Sequence, residues 1–193
     1  HNSYITLKMK KYQIFELLNK AYKKKVKQKN IRDIGKFLQF VGEDYAQKWL
    51  DEECEIDSSC VENDEKGNEP TWDVLTKNGV RIQVKYRGGK SASGRPKLFL
   101  ETTRRNSAKN AGAKSSSGHV AYGSSEFDIA LFVVPSHDFD YLDTSGLDII
   151  AIPAEELINP KHPEILVKNV PASLMDRYLG KAKEVVLSYE KCQ

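Results

Sequence analysis

An acid, an amide and a lysine stand close together in the segment Thr71-Trp72-Asp73-Val74-Leu75-Thr76-Lys77-Asn78-Gly79-Val80-Arg81-Ile82-Gln83-Val84-Lys85-Tyr86-Arg87. Asn78-Gly79 is a hairpin turn signal, and two registers compete for it. A two-residue loop pairs Asp73 with Val84 and Val74 with Gln83, setting polar residues against apolar ones. A three-residue loop, Lys77-Asn78-Gly79 with Gly79 in the left-handed conformation, pairs Asp73 with Gln83, Val74 with Ile82 and Trp72 with Val84. The second register sorts the faces. Trp72, Val74, Val80, Ile82 and Val84 share one face as a core-facing set, and Asp73, Gln83 and Lys85 share the other. Directly opposed residues carry β-carbons about 5 Å apart, so the Asp73 carboxylate and the Gln83 side-chain oxygen reach one small cation, with Lys85 beside it. Mg²⁺ takes hard oxygen ligands; Asp73, Gln83 and the Val84 backbone carbonyl supply the protein share. A neighbouring ammonium orients an attacking water or offsets charge building on a phosphate. The chemistry such a set suits is metal-assisted hydrolysis of a phosphodiester.

Asp73, nine intervening residues, then Gln83-Val84-Lys85 resembles the motif of the PD-(D/E)xK nuclease superfamily, the restriction-endonuclease-like fold. The family core begins with a helix, often carrying a Gly-Glu pair. Gly42-Glu43, within Phe40-Val41-Gly42-Glu43-Asp44-Tyr45-Ala46-Gln47-Lys48-Trp49-Leu50, looks like that element. Segments beginning at Phe127 (through Val134) and Leu147 (through Leu157) look like the strands and short helix that follow the catalytic hairpin. The resemblance spans residues 40–160. Trp72 stands where the family has a proline, with Pro70 close by, and Gln83 replaces the usual second acid, which removes one negative charge. By this resemblance Asp73, Gln83, Lys85 and Glu43 form the catalytic set, with Glu69 and Glu101 as further candidates to restore the missing charge. Mg²⁺ is the implied cofactor, with Mn²⁺ as a substitute.

The elements that must hold this set in place are legible around it. Tyr12, Phe15, Leu18, Tyr22 and Val26 recur at three- and four-residue steps, predicting a first helix with a lysine-rich outer face. A second helix is predicted over 31–50, with Ile34, Phe37, Leu38, Val41, Tyr45 and Trp49 as its stripe and Glu43 off centre, able to reach an edge of the sheet. Residues 151–157 predict a strand ending in a short helix with Pro153 near its first turn. Residues 164–167 predict a short strand. Ser173 is placed to cap a last helix through Leu174, Tyr178, Leu179, Ala182, Val185, Val186 and Tyr189. The fold class expected is α/β or α+β: a central mixed β-sheet flanked by helices, in one nuclease domain over 1–193. Its parts are N-terminal helices over 1–50, a catalytic core over 70–160 and a C-terminal helix over 171–190.

The net charge of +3 hides a segregated distribution. Lysines dominate from Lys8 to Lys36, acids from Glu43 to Asp73, and cations again just after the candidate strand. This third block, 87–119, sets Arg87, Lys90, Arg95, Lys97, Arg104, Arg105, Lys109 and Lys114 against Glu101 alone, among many Gly, Ser and Ala residues. Small residues let backbone amides approach phosphates, while Arg, Asn and Ser bond phosphates or base edges. The block reads as a basic DNA-binding insertion, with Asn106, Asn110 and His119 joining the cations. If about six of these met phosphates, log affinity would fall against log salt with a slope near −5. A solvated face is the first reading of the earlier lysine block, with DNA backbone contact second.

With 193 residues and 39% hydrophobic content, the chain has enough apolar material for one sizeable core. The longest apolar runs, such as 129–134, are too short to span a bilayer, and no secretory signal is evident, so no membrane partner is expected. Met9 is the expected native start. Cys54, Cys60 and Cys192 match no zinc spacing and read as free thiols of a cytoplasmic protein. Neither a nucleophile elbow nor a phosphate-binding Gly-Lys-Ser/Thr loop occurs, which removes serine hydrolases and P-loop NTPases. The function expected is a Mg²⁺-dependent DNA endonuclease resembling type II restriction enzymes, acting on double-stranded DNA as a homodimer so that each strand meets one site. Alternatives are a catalytically inactive nucleic-acid-binding module on the same fold, a repair or junction-resolving nuclease, and an enzyme acting on RNA, since a phosphate-seeking arm does not read the sugar.

Overall fold

The computed structural model describes residues 34–61, 71–100, 121–135 and 147–192. The lysine-rich helix expected near the N-terminus lies outside them, as do Glu69, Glu101 and most of the basic insertion. Helix α1 (Ile34–Cys54) carries its apolar stripe on the expected positions: Val41 and Tyr45 are buried, and Leu38 and Trp49 pack at the margin. It runs past the expected stop at Leu50 because Leu50 and Cys54 are themselves core residues. The chain leaves the helix through Glu55 at a φ of 57°, and the Ile56 N–H donates to the Leu50 carbonyl.

Strands β1 (Ser58–Cys60), β2 (Val74–Thr76), β3 (Arg81–Tyr86), β4 (Ile129–Pro135) and β5 (Leu147–Pro153) form one mixed sheet in the order β1-β2-β3-β4-β5. The β2–β3 hairpin adopts the three-residue register, with Val74 opposite Ile82 and Leu75 opposite Arg81. Gly79 sits at a φ of 92°, a conformation that a residue with a β-carbon resists. Thr76 closes the turn twice: its N–H donates to the Val80 carbonyl and its hydroxyl accepts from the Val80 N–H. Strand β4 runs parallel to β3, from Ile82–Ile129 to Tyr86–Val133, and β5 runs antiparallel to β4.

Both faces of the sheet are covered, which explains why β4 is an unbroken apolar run rather than an alternating one. On one face Val74, Ile82, Val84, Ile129 and Leu131 pack against Tyr45 and Leu50 of α1 and against Val185 and Val186. On the other, Ala130, Phe132, Ile150 and Ile152 pack against Leu98, Leu100, Tyr122, Phe127, Leu174 and Met175. Trp72 departs from the expectation. Strict alternation places it with Val74 and Ile82, yet it packs with the opposite cluster, beneath the Arg81 guanidinium at 5.6 Å. The alternation ends because β2 begins only at Val74; the Asp73 N–H donates to the Ile82 carbonyl, off the regular register.

After β5 come a 3₁₀ turn (Ala154–Leu157), a small hairpin of β6 (Ile158–Asn159) and β7 (His162–Leu166), and helices α2 (Ala172–Tyr178) and α3 (Ala182–Cys192). Thus the strand expected at 164–167 begins earlier and has a partner. The single C-terminal helix expected over 171–190 is two helices, divided at Gly180 with a φ of 74°. Ser173 lies inside the first turn instead of capping it; Pro171 holds the cap position and makes no side-chain cap bond. With α1 and α3 on one face and α2 on the other, the expected mixed sheet flanked by helices is what the chain forms.

The tie between α1 and the sheet supplies a test. The buried Tyr45 hydroxyl donates to the Leu147 carbonyl at 2.9 Å, and burial raises the phenol pKa above its ordinary value. Tyr45→Phe leaves that carbonyl short of this donor and is expected to cost about 1–2 kcal/mol. A urea melt should show a lower midpoint at an unchanged slope.

Candidate active site

Asp73 stands just before β2, and Gln83 and Lys85 alternate along β3 on the face away from α1. The hairpin brings the expected residues together. The Gln83 amide nitrogen donates to Asp73 Oδ2 in a very short bond, and the Val84 N–H donates to the same oxygen at 2.8 Å. Gln83 is buried, at 4% exposure, so it is no ordinary surface glutamine. Its amide nitrogen also lies 3.4 Å from the Val84 carbonyl oxygen.

Glu43 reaches this set indirectly, through Gln39. The Gln39 amide nitrogen donates to Glu43 Oε1 at 3.1 Å and to the Val84 carbonyl at 2.7 Å, while its oxygen accepts the Tyr86 N–H at 3.2 Å. The approach is close because residue 42 is glycine: a β-carbon there would lie 3.2 Å from Tyr86 Cβ. Sequence reasoning missed Gln39, although its spacing of one helical turn before Glu43 was visible. It also missed Tyr122, whose ring centroid lies 5.2 Å from Lys85 Nζ. No local pattern marks Tyr122, because it reaches Lys85 only through the β3–β4 connection.

Among the described residues no group of three or more His, Cys, Asp or Glu side chains could hold a metal. The donors gathered here are of another kind: one carboxylate, one backbone carbonyl and a side-chain amide. Their chemistry fits a hard cation in one respect. Gln83 Nε2 lies against both Asp73 Oδ2 and the Val84 oxygen. The same amide turned end for end would present its oxygen to both, and three oxygens would then converge.

The basic stretch is described from Arg87 to Leu100, and there it is a built loop. Arg87 stacks on the Phe99 ring at 3.8 Å and donates through Nε and Nη2 to the Phe99 carbonyl, so its guanidinium is committed to holding the loop. Lys90 bridges to Pro96 across a turn whose Gly94 has a φ of 77°, and both Lys90 and Lys97 are exposed. Arg95 pairs with Asp176 of α2 at 2.9 Å. Arg104, Arg105, Asn106, Lys109, Asn110, Lys114 and His119 lie outside the described residues.

At the far end of β3, Arg81 Nη2 meets Asp128 Oδ1 at 2.9 Å, and Asp128 Oδ2 accepts from both the Arg81 backbone N–H and Nε. Burial of the Asp128 carboxyl opposes its ionisation, but the Arg81 hydrogen bonds and charge outweigh it and bring the pKa below its ordinary value. A depressed folded pKa stabilises above the unfolded pKa, and that contribution is lost as pH falls through the folded value. Asp128→Asn should therefore lose less stability than wild type on acidification through that range, measured by thermal melts at neutral and acid pH.

The chain matches no protein-family model. It also matches none of the curated proteins compared with it. Among solved structures it is similar to a bacterial homing endonuclease, I-Ssp6803I, at 16% identity and a TM-score of 0.46, over 79% of this chain and 95% of that one. Among the described residues, no helix is long and apolar enough to cross a membrane, and Cys54, Cys60 and Cys192 are free.

Proposed function

We propose that this protein is a Mg²⁺-dependent endonuclease hydrolysing phosphodiester bonds of double-stranded DNA, with Asp73, Gln83, Val84 and Lys85 as its centre. The observation that carries the reading is the meeting of Gln83 and Val84 on the Asp73 carboxylate, with Lys85 next on the same face of the strand. Asp73, the Val84 carbonyl and, with its amide turned, the Gln83 side-chain oxygen would hold the cation. Bound there, Mg²⁺ supplies Lewis-acid polarisation of a phosphate oxygen. Lys85, its ammonium set against the Tyr122 ring, orients the attacking water and offsets the charge growing on the phosphate. Glu43 completes the shell through Gln39. Lys90 and Lys97, with the cations of 104–119, engage the DNA backbone; Arg87 shapes the loop that carries Lys90 and Lys97. Within this class a type II restriction enzyme working as a homodimer is the favoured form.

A second reading, an inactive DNA-binding module, draws on one observation. The carboxylate, the carbonyl and both amides already satisfy one another. The test is cleavage of supercoiled and linear plasmid with Mg²⁺ or Mn²⁺, comparing wild type with Asp73→Ala and Lys85→Ala. Discrete fragments lost in both variants support the restriction-type nuclease. Nicking without fragments points to a repair or junction enzyme, and binding without cutting sinks the nuclease reading.

A further inference from the structure

The β2–β3 ladder stops at Val74–Ile82, but β3 continues to Tyr86. Along that side of β3 side chains take over from a strand. Asp73 accepts the Val84 N–H, and the Gln39 carboxamide spans Lys85, donating to the Val84 carbonyl at 2.7 Å and accepting the Tyr86 N–H at 3.2 Å. In a parallel ladder one residue donates to the carbonyl before its opposite number and accepts from the N–H after it. The Gln39 amide makes that same pair of bonds around Lys85.

We infer that Gln39 is a positioning residue of this site: its carboxamide substitutes for one residue of a missing parallel strand and fixes the orientation of the Val84 carbonyl and of Lys85. The inference rests on the nuclease reading above. Two features set the amide in place. It is oriented by its bond to Glu43 Oε1, one helical turn further on. Its reach is set by the close packing of α1 on β3 at Gly42, where a β-carbon would stand 3.2 Å from Tyr86 Cβ. Gln39 needs no contact with substrate in this role. It holds the two peptide groups that flank Lys85, so removing the amide frees the backbone carrying both the carbonyl and the ammonium.

Two variants separate the two bonds. Gln39→Leu removes both, whereas Gln39→Glu keeps an acceptor for the Tyr86 N–H but sets an oxygen against the Val84 carbonyl. Amide hydrogen exchange is followed in the metal-free protein, and kcat and KM are measured on plasmid DNA. In Gln39→Leu, exchange at Tyr86 should quicken by about tenfold while Val80 and Ile82 stay protected. Its kcat should fall by about 10²-fold, the scale of an ångström-size misplacement, with KM for DNA unchanged. In Gln39→Glu, Tyr86 should stay protected while kcat falls similarly; this variant carries the test if Gln39→Leu does not fold. Wild-type kcat in the Gln39 variants, alongside an inactive Lys85→Ala, would overturn the inference and leave the nuclease reading standing. A wild-type protein that cuts no DNA overturns the nuclease reading and this inference with it.

Discussion

Asp73→Ala is expected to lower Mg²⁺-dependent plasmid cleavage by about 10³-fold, the upper scale for removing one preorganised electrostatic contact from a transition state. The side chain has two tasks. Its Oδ2 accepts from the Gln83 amide and the Val84 N–H, tying the start of β2 to the middle of β3, and on the proposed reading it also supplies charge to a bound cation. Alanine abolishes both and leaves the two donors without that acceptor, a loss of about 1–3 kcal/mol in addition to the loss of activity. Asp73→Asn separates the tasks: an oxygen remains to accept from Val84, but the negative charge is gone. We expect Asp73→Asn to melt near the wild-type temperature and still fail to cut. If Asp73→Asn cleaves at the wild-type rate, the carboxylate serves the fold alone and the proposed centre is wrong.

Phe132→Ala should be the most damaging single change to stability. Phe132 is fully buried in β4, opposite Lys85 of β3 on one side and Ile150 of β5 on the other, and it packs within the Tyr122–Phe127 cluster. Truncating a fully enclosed phenylalanine costs about 3–5 kcal/mol, because the transfer free energy is lost and the cavity collapses only in part. Against a total stability of about 5–15 kcal/mol, that leaves a protein close to unfolding. Urea denaturation of Phe132→Ala beside Leu179→Ala, whose parent side chain is 62% exposed, makes the comparison internal. A midpoint for Phe132→Ala as little changed as that of Leu179→Ala would mean that the second cluster is not a cooperative core.

What was legible beforehand follows how local each determinant is. The hairpin register could be read because Asn78-Gly79 demands a left-handed residue and only one loop length sorts the apolar residues onto one face. The stripe of α1 and the apolar run of β4 were equally visible, since each is set by residues within a few turns or a few alternations. Other features depend on residues distant in sequence. That Gln83 would be buried could not be seen, because the residues that cover its face, Leu98, Leu100 and Tyr122, come from the connection after β3. Arg87 reads in the sequence as one of the DNA-binding cations because the Phe99 ring and carbonyl that hold it lie across a loop. The Gly180 break was hidden by an apolar spacing that runs through both C-terminal helices. Strict alternation does not reach Trp72, which lies two residues before the start of β2.

The parallel pairing of β3 with β4 also bears on the order in which the molecule assembles. Val74 and Ile82 meet across a three-residue loop, a closure that takes microseconds or less, whereas Ile82 can meet Ile129 only after the whole intervening connection has been drawn in. Loop entropy opposes the second event until burial in β4 offsets it. Asp73, Gln83 and Lys85 are therefore neighbours early in folding, on a hairpin still lacking the support of Phe132. Stopped-flow refolding should show Val74→Ala mainly slowing folding and Phe132→Ala mainly hastening unfolding; the reverse pattern would mean that the distant pairing forms first.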